Sequence, residues 1–136
     1  MKTVEPAIFE LLKSLNSNRV YPLNAPQNVT APFIVYNRVD SERWRSVNSP
    51  SGIAQATIQI DVYAATYQAA KELALSIENT LDGYRGLVYY GTDSPQEFVR
   101  IAGISLQNDV DLLDQTEKPL LFRNSANYLV TYEQTE

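Results

Sequence analysis

The stretch ATIQIDVYAATYQAAKELALSIENTLDGYRG (56–86) changes its hydrophobic period halfway along its length. Apolar and polar residues first alternate, which predicts a strand with one dry face and one wet or contacted face. The dry face comprises Ile58, Ile60 and Val62, and the other face comprises Gln59, Asp61 and Tyr63. Apolar residues then recur at helical spacing up to Leu81, between an N-cap at Thr66 and a terminating glycine at Gly83. The stretch therefore predicts a strand that runs directly into a helix.

The sequence on the N-terminal side predicts a second helix and a long hairpin. Residues 4–15 carry apolar side chains at helical spacing, with Thr3 as a candidate N-cap. FIVYNRV (33–39) reads as a strand that ERWRSV (42–47) either continues or neighbours. NSPSG (48–52) supplies turn residues, so residues 33–64 predict an antiparallel hairpin whose second arm begins near Ile53.

The C-terminal third predicts further strands. GLVYYG (86–91) is short, and FVRIAGISLQ (98–107) is apolar on both faces, which predicts a central strand. NDVDLLDQTEKP (108–119) reads as a polar loop around Leu112 and Leu113, and LLFRNSANYLVTYE (120–133) closes the sheet. The predicted fold is α+β in one domain of residues 1–136. It comprises a mostly antiparallel sheet with two helices packed on one face and a long projecting β-hairpin.

Composition excludes several classes of function. The 136 residues include no histidine and no cysteine, so neither a Ser-His-Asp nor a Cys-His catalytic arrangement can form. A formal net charge of −5 disfavours specific nucleic-acid binding, which depends on Lys and Arg neutralising phosphates. The N-terminus lacks the apolar run of a signal peptide, and no stretch approaches the ~18 apolar residues of a membrane span. These features predict a soluble protein that is made and used in the cytoplasm, away from membranes.

The acidic segment and the aromatic residues are the remaining candidates for a site. Asp109, Asp111, Asp114 and Glu117 lack the glycine and the terminal glutamate of a calcium-binding loop, so no metal or cofactor is expected. Nine tyrosines and one tryptophan suit protein–protein contacts. Trp44 lies between Arg43 and Arg45 near the predicted hairpin tip, where arginines could meet a partner's carboxylates. The alternative is that these arginines are solvated charges on an edge strand.

Motifs along most of the chain resemble one known family. They are RVYPLNAPQ (19–27), PFIVYNRV (32–39) and the strand–helix unit that ends in LDGYRG (81–86). Together they are similar to the tail-completion family of long-tailed bacteriophages and related prophages, the small tail-terminator or head–tail joining proteins. Residues 107–119 do not match this pattern.

The resemblance implies a non-enzymatic virion assembly protein in the tail or neck, assembled in the host cytoplasm. Such proteins form a ring, typically of six copies, that caps the tail tube, stops its polymerisation and joins the tail to the head. The implied partners are further copies of the chain, the tail tube protein and a head–tail connector or neck protein, while genomic DNA passes through the ring. The expected subunit or partner interface comprises Arg38, Arg43, Trp44, Arg45, Gln59, Asp61, Tyr63, Leu112 and Leu113.

Three alternatives stay open on the sequence. The first is a head-side neck or connector protein, which differs in binding the portal or adaptor instead of the tube. The second is a small hydrolase that pairs Asp61 with Glu78 or Asp82. The third is a monomeric ligand-binding domain.

Overall fold

The structure, a computed structural model, describes residues 4–15, 19–23, 31–45, 50–92, 94–114 and 121–133. Within these ranges the chain forms two α-helices, one 3₁₀ turn after the first helix, and six strands. The helices are α1 (Glu5–Leu12, followed by the 3₁₀ turn Lys13–Leu15) and α2 (Tyr67–Leu81). The strands are β1 (Val20–Pro22), β2 (Phe33–Arg45), β3 (Pro50–Ala64), β4 (Gly86–Tyr90), β5 (Glu97–Asp114) and β6 (Leu121–Glu133).

The strands form one sheet in the order β1-β2-β3-β6-β5-β4. Every neighbouring pair is antiparallel except β1 and β2, which are parallel. The central pair is β3 and β6, matched from Ile53 opposite Glu133 to Ala64 opposite Phe122. The predicted α+β class and mostly antiparallel sheet are confirmed.

One face of the sheet carries the hydrophobic core. Ile58, Ile60 and Val62 of β3 are at most 1% exposed, as their alternation predicts. They share a core cluster with the alternate residues of β6 and with the inward residues of both helices, so we call this side the helix face. The inward residues of the two helices are Ala7, Ile8, Leu12, Ala70, Ile77 and Leu81.

The sheet curls around α1. A cavity of about 430 Å³ lies where α1 meets Tyr36 of β2 and Tyr90 of β4. These two strands are separated by three others in the sheet order, so only a curled sheet can bring both to one helix. The cavity is lined by Glu5, Pro6, Phe9, Glu10, Tyr36, Tyr90 and Gly91.

The predicted ends of α2 are confirmed, whereas the start of α1 differs from the prediction. The Thr66 hydroxyl accepts a hydrogen bond from the Ala69 N–H at 3.1 Å. Gly83 has φ of +83°, a conformation that a residue without a Cβ adopts without strain. The N-cap of α1 is Val4 and makes no side-chain cap, and the predicted cap Thr3 lies outside the described residues.

Two predictions about β5 are wrong. The strand lies between β6 and the short β4, but it is not buried on both faces as the prediction requires, because Arg100 and Ala102 on it are exposed. The predicted loop 108–119 is strand as far as Asp114, where β5 still pairs with β6. Hydrogen bonds from a neighbouring strand outweigh the low β-propensity of Asn and Asp here, an influence that a local pattern does not contain. Residues 115–120 lie outside the description.

The hairpin forms, but its projection from the sheet is not confirmed. ERWR continues β2, which pairs with β3 from Phe33 opposite Tyr63 to Arg45 opposite Pro50. Most of β3, from Ile53 onward, is held against β6 on its other side. The tip, residues 46–49, lies outside the described residues.

We expect Ile77→Ala to destabilise the fold by about 2–5 kcal/mol, because it removes a fully buried side chain between α2 and the sheet. Leu75→Ala is the matched control on the same helix, since Leu75 is 56% exposed, and its change should stay within about 0.5 kcal/mol. Urea unfolding followed by circular dichroism measures both changes. Equal losses would show that α2 does not bury Ile77 against the sheet.

Candidate interaction surface

The face of the sheet opposite the helices carries an ordered polar cluster. Within the described ranges no helix packs on this side, which we call the open face. Asp61 lies at its centre on β3 and is 5% exposed. The Arg123 Nη2 atom on β6 lies 2.7 Å from the Asp61 Oδ2 atom, and Gln59 donates to the same carboxylate at 3.2 Å. Gln59 also donates to the Ser125 Oγ atom at 3.2 Å, so neighbouring strands are linked by side chains.

Two aromatic rings extend this cluster towards β2. The rings of Phe33 and Tyr63 stack with centroids 4.8 Å apart, and the Arg123 guanidinium lies 5.5 Å from the Tyr63 ring centroid. Stacking and cation–π contacts hold these side chains in fixed orientations. The result is a pre-ordered patch of Tyr, Arg and carboxylate groups, a chemistry that suits contact with another protein.

The structure places Leu112 beside this patch and Leu113 away from it. Leu112 on β5 pairs opposite Arg123, which puts it on the open face, and it is 44% exposed. Leu113 pairs opposite Phe122 on the helix face and is 43% exposed. Val110, opposite Ser125, is a further exposed apolar residue of the open face that the sequence prediction missed.

The four predicted residues on β2 lie apart from the patch. Arg38 forms an ion pair with Glu5, with 3.9 Å between the Nη1 and Oε1 atoms. Arg43, Trp44 and Arg45 belong to the end of β2 next to the hairpin tip. The structure therefore brings Gln59, Asp61, Tyr63 and Leu112 to one surface, while the four β2 residues lie on the part of β2 that leads to the hairpin tip.

A second polar cluster joins α2 to β5 and β6. The Asp111 carboxylate accepts hydrogen bonds from Asn124 Nδ2 at 2.8 Å, Lys71 Nζ at 3.2 Å and Tyr67 Oη at 3.1 Å. These donors, Asn124 above all, hold the pKa of Asp111 below its usual value, against the opposing effect of burial. The cluster holds the C-terminal half of β5 against α2. Sequence reasoning assigned Asp111 to a loop and so gave it no partners.

The carboxylates of the hydrolase alternative are not brought together. Asp61 lies on the open face, whereas Glu78 and Asp82 belong to α2 and its C-cap on the helix face. The sheet separates them, so they cannot act on one substrate. Within the described residues, no group of three Asp or Glu side chains is placed to hold a metal ion.

Arg123 is the main site residue that the sequence analysis did not single out. The signal for it was present, because Arg123, Ser125 and Asn127 alternate with the buried residues of β6. That alternation predicts a polar face, but it does not say which residue of β3 lies opposite. Only the register of β3 against β6 places Arg123 next to Tyr63 and one step from Asp61.

We expect Arg123→Met to destabilise the fold by about 1–3 kcal/mol, because the buried Asp61 carboxylate loses its charged partner. Arg100→Met is the matched control, since the Arg100–Glu133 pair is about half exposed and should contribute at most about 1 kcal/mol. In the double variant Asp61→Asn/Arg123→Met the loss should be smaller than the sum of the single losses. Additive losses in chemical denaturation would contradict the coupling.

The Asp111 cluster predicts a dependence of stability on acid. Because the folded pKa is lowered, the stabilisation is present above the unfolded value of about 3.8 and is lost as the pH falls through the folded pKa. Asp111→Asn should therefore lower the free energy of unfolding more at pH 7 than at about pH 2.5. Urea titrations of both proteins at the two pH values measure this, and an equal difference at both would contradict it.

Comparisons with known proteins agree with this architecture. The family model of "Tail completion protein gp17" matches residues 5–119. A chain in the solved structure described as the virion of a native gene transfer agent particle is similar in fold, with a TM-score of 0.62 and 17% identity. That match covers 90% of this chain and 84% of the other. A search of curated proteins finds no match, and within the described residues no helix is long and apolar enough to cross a membrane. Because the family model spans most of its length, the chain belongs to the tail completion protein family, and it is a virion tail component.

Proposed function

We propose that the chain forms a homo-oligomeric ring, of six copies, that caps the phage tail tube, ends its polymerisation and joins the tail to the head. The observation that carries this proposal is the ordered open-face patch, found in a chain of the tail completion family. The solved structure with a similar fold is itself described as a virion particle, which supports a role inside an assembled particle.

The proposed subunit and partner contacts use the open face, the part of β2 that leads to the hairpin tip, and the C-terminal end of β5. Tyr and Arg side chains bury large areas and form directional bonds at protein interfaces, and here Tyr63 and Arg123 are already held in place. Leu112 adds exposed apolar area beside them. The proposed interface residues are Arg38, Arg43, Trp44, Arg45, Gln59, Asp61, Tyr63, Leu112 and Leu113.

The acidic charge of the chain suits a channel for DNA. Each copy carries a formal charge of −5, so a ring of copies repels the phosphate backbone that passes through it. The chain then acts without catalysis and without a cofactor. Its partners are other copies, the tail tube protein on one side and a connector or neck protein on the other, within a virion assembled in the host cytoplasm.

Purified tube protein provides the functional test. When the chain is added to tube protein at an equal molar amount, it should shorten the tubes seen by electron microscopy and appear as a cap at one end. The variant Arg43→Glu/Arg45→Glu should lose most of this effect, because it reverses the charge of the proposed contact surface on β2.

The control is Arg85→Glu/Arg100→Glu, which makes the same change in net charge at exposed positions on the turn after α2 and on β5. It should shorten tubes as the unaltered chain does. Circular dichroism verifies that both variants stay folded. Unchanged tube length with the unaltered chain would contradict tube capping, and binding to the portal protein instead would favour the head-side neck protein.

A further inference from the structure

The outer edge of β5 is covered along only part of its length. β4 pairs with residues 97–101, and the end of α2 covers the next part. There the Gly83 N–H donates to the Ile104 carbonyl at 2.7 Å, and the Leu106 N–H donates to the Asp82 carboxylate at 3.0 Å. From Gln107 to Asp114, β5 has no strand on its outer side among the described residues.

Among the described residues, the outer edge of β2 is covered only near its N-terminal end. β1 pairs with residues 34–36, and the Leu23 N–H donates to the Tyr36 carbonyl at 2.8 Å. From Asn37 to Arg45, the described part of the chain offers β2 no outer partner. Among the residues that the structure describes, the sheet therefore has two open edges of similar length, one on each side.

These edges carry apolar side chains and opposite charges. Strand edges that stay single are usually blocked by proline, by charged side chains, by β-bulges or by a covering loop, and charges of one sign leave an edge free to pair with an edge of the opposite sign. Here Val110 and Val39 are about half exposed, at 52% and 49%, and neither open segment contains proline. The β5 segment has acidic residues and no basic one, whereas the β2 segment contains three arginines, Arg38, Arg43 and Arg45, beside two acidic residues.

We infer that the open edge of β5 in one copy pairs, antiparallel, with the open edge of β2 in the next copy. Within one chain, β5 runs antiparallel to β2. Copies related by rotation about the ring axis keep these strand directions, so β5 of one copy is also antiparallel to β2 of the next. The two surfaces differ, so the contact is heterologous and repeats from copy to copy. This inference rests on the proposed ring and names the surface that closes it.

The stagger between the two edges fits a closed ring. If Val110 lies opposite Glu42 of the next copy, the row through Val110 crosses β3 at Asp61, whereas the row through Glu42 crosses β3 at Gln55. These rows are six residues of β3 apart, which is about 20 Å along the strand. Four strand spacings per copy span about 19 Å, so the strands incline by about 46° to the ring axis. This lies at the upper end of the inclinations of closed barrels, which are about 35–45°.

Full overlap of the two segments allows two registers, with Val110 opposite either Ser41 or Glu42 of the neighbouring copy. Val110 and Glu42 both occupy register positions on the open face, whereas Ser41 pairs opposite Ala56 on the helix face. Matching faces therefore select the register that places Val110 opposite Glu42 and Asp109 opposite Arg43. Asp109 and Arg43 pair opposite Ala126 and Ala54 of their own sheets, so the two register positions lie on the same side of the joined sheet. Directly opposed charges of unlike sign stabilise strand pairs.

Engineered disulfides test this register, because the chain has no cysteine of its own. Val110→Cys combined with Glu42→Cys should give interchain disulfides under mild oxidation, seen as a ladder of covalent multimers on a denaturing gel. Opposed strand residues lie within the distance that a disulfide needs. Val110→Cys with Leu75→Cys is the control, since Leu75 is exposed on α2, and it should give at least about ten-fold less product.

Asp40→Cys and Trp44→Cys, each combined with Val110→Cys, detect a register shifted by two residues. Of the three pairs, Glu42→Cys with Val110→Cys should give the most cross-linked product. A charge exchange gives a second readout, because Asp109→Arg should weaken assembly at least ten-fold and Asp109→Arg/Arg43→Asp should restore it. Oligomers without cross-links at any of the three positions would overturn the edge pairing and leave the ring standing. A monomer under all conditions, with tube protein present, would overturn both.

Discussion

Burial of the dry face of β3 is the constraint on which the rest of the structure depends. Ile58, Ile60 and Val62 need a cover, and the helix that follows β3 in the sequence supplies it through Ile77 and its neighbours. Because β3 is paired with β2 on one side and β6 on the other, one register determines what lies on both faces. The core therefore decides which residues meet on the open face.

The open face and the strand edges are consequences of this arrangement. Because both helices lie on one side, Asp61 and Arg123 come together on a surface that no helix of the described residues covers, and hydrogen bonds and ring stacking hold the side chains there. The C-terminal end of α2 closes part of the β5 edge, and the Asp111 cluster holds the remaining part against α2. A rigid edge loses little conformational entropy when it pairs, which favours association. These features suit a protein whose function is assembly.

The sequence predicts the fold wherever its pattern is local. The alternation around Ile58, the spacing of α2, the cap at Thr66 and the turn at Gly83 depend on neighbours within a few residues, and all are confirmed. Residues 108–114 are strand because β6 lies beside them, and no pattern within the segment contains that information. The candidate site behaves in the same way. Gln59, Asp61 and Tyr63 follow from alternation, but Arg123 requires the register between distant strands.

The native mass of the chain in solution tests the central claim, which is that copies assemble through these surfaces into a closed ring. Light scattering on a sizing column, across a concentration series and again with tube protein present, gives this mass directly. Six copies of 15.3 kDa predict a species of about 92 kDa that persists or grows as concentration rises. A mass of 15.3 kDa at every concentration, with and without tube protein, would contradict the account.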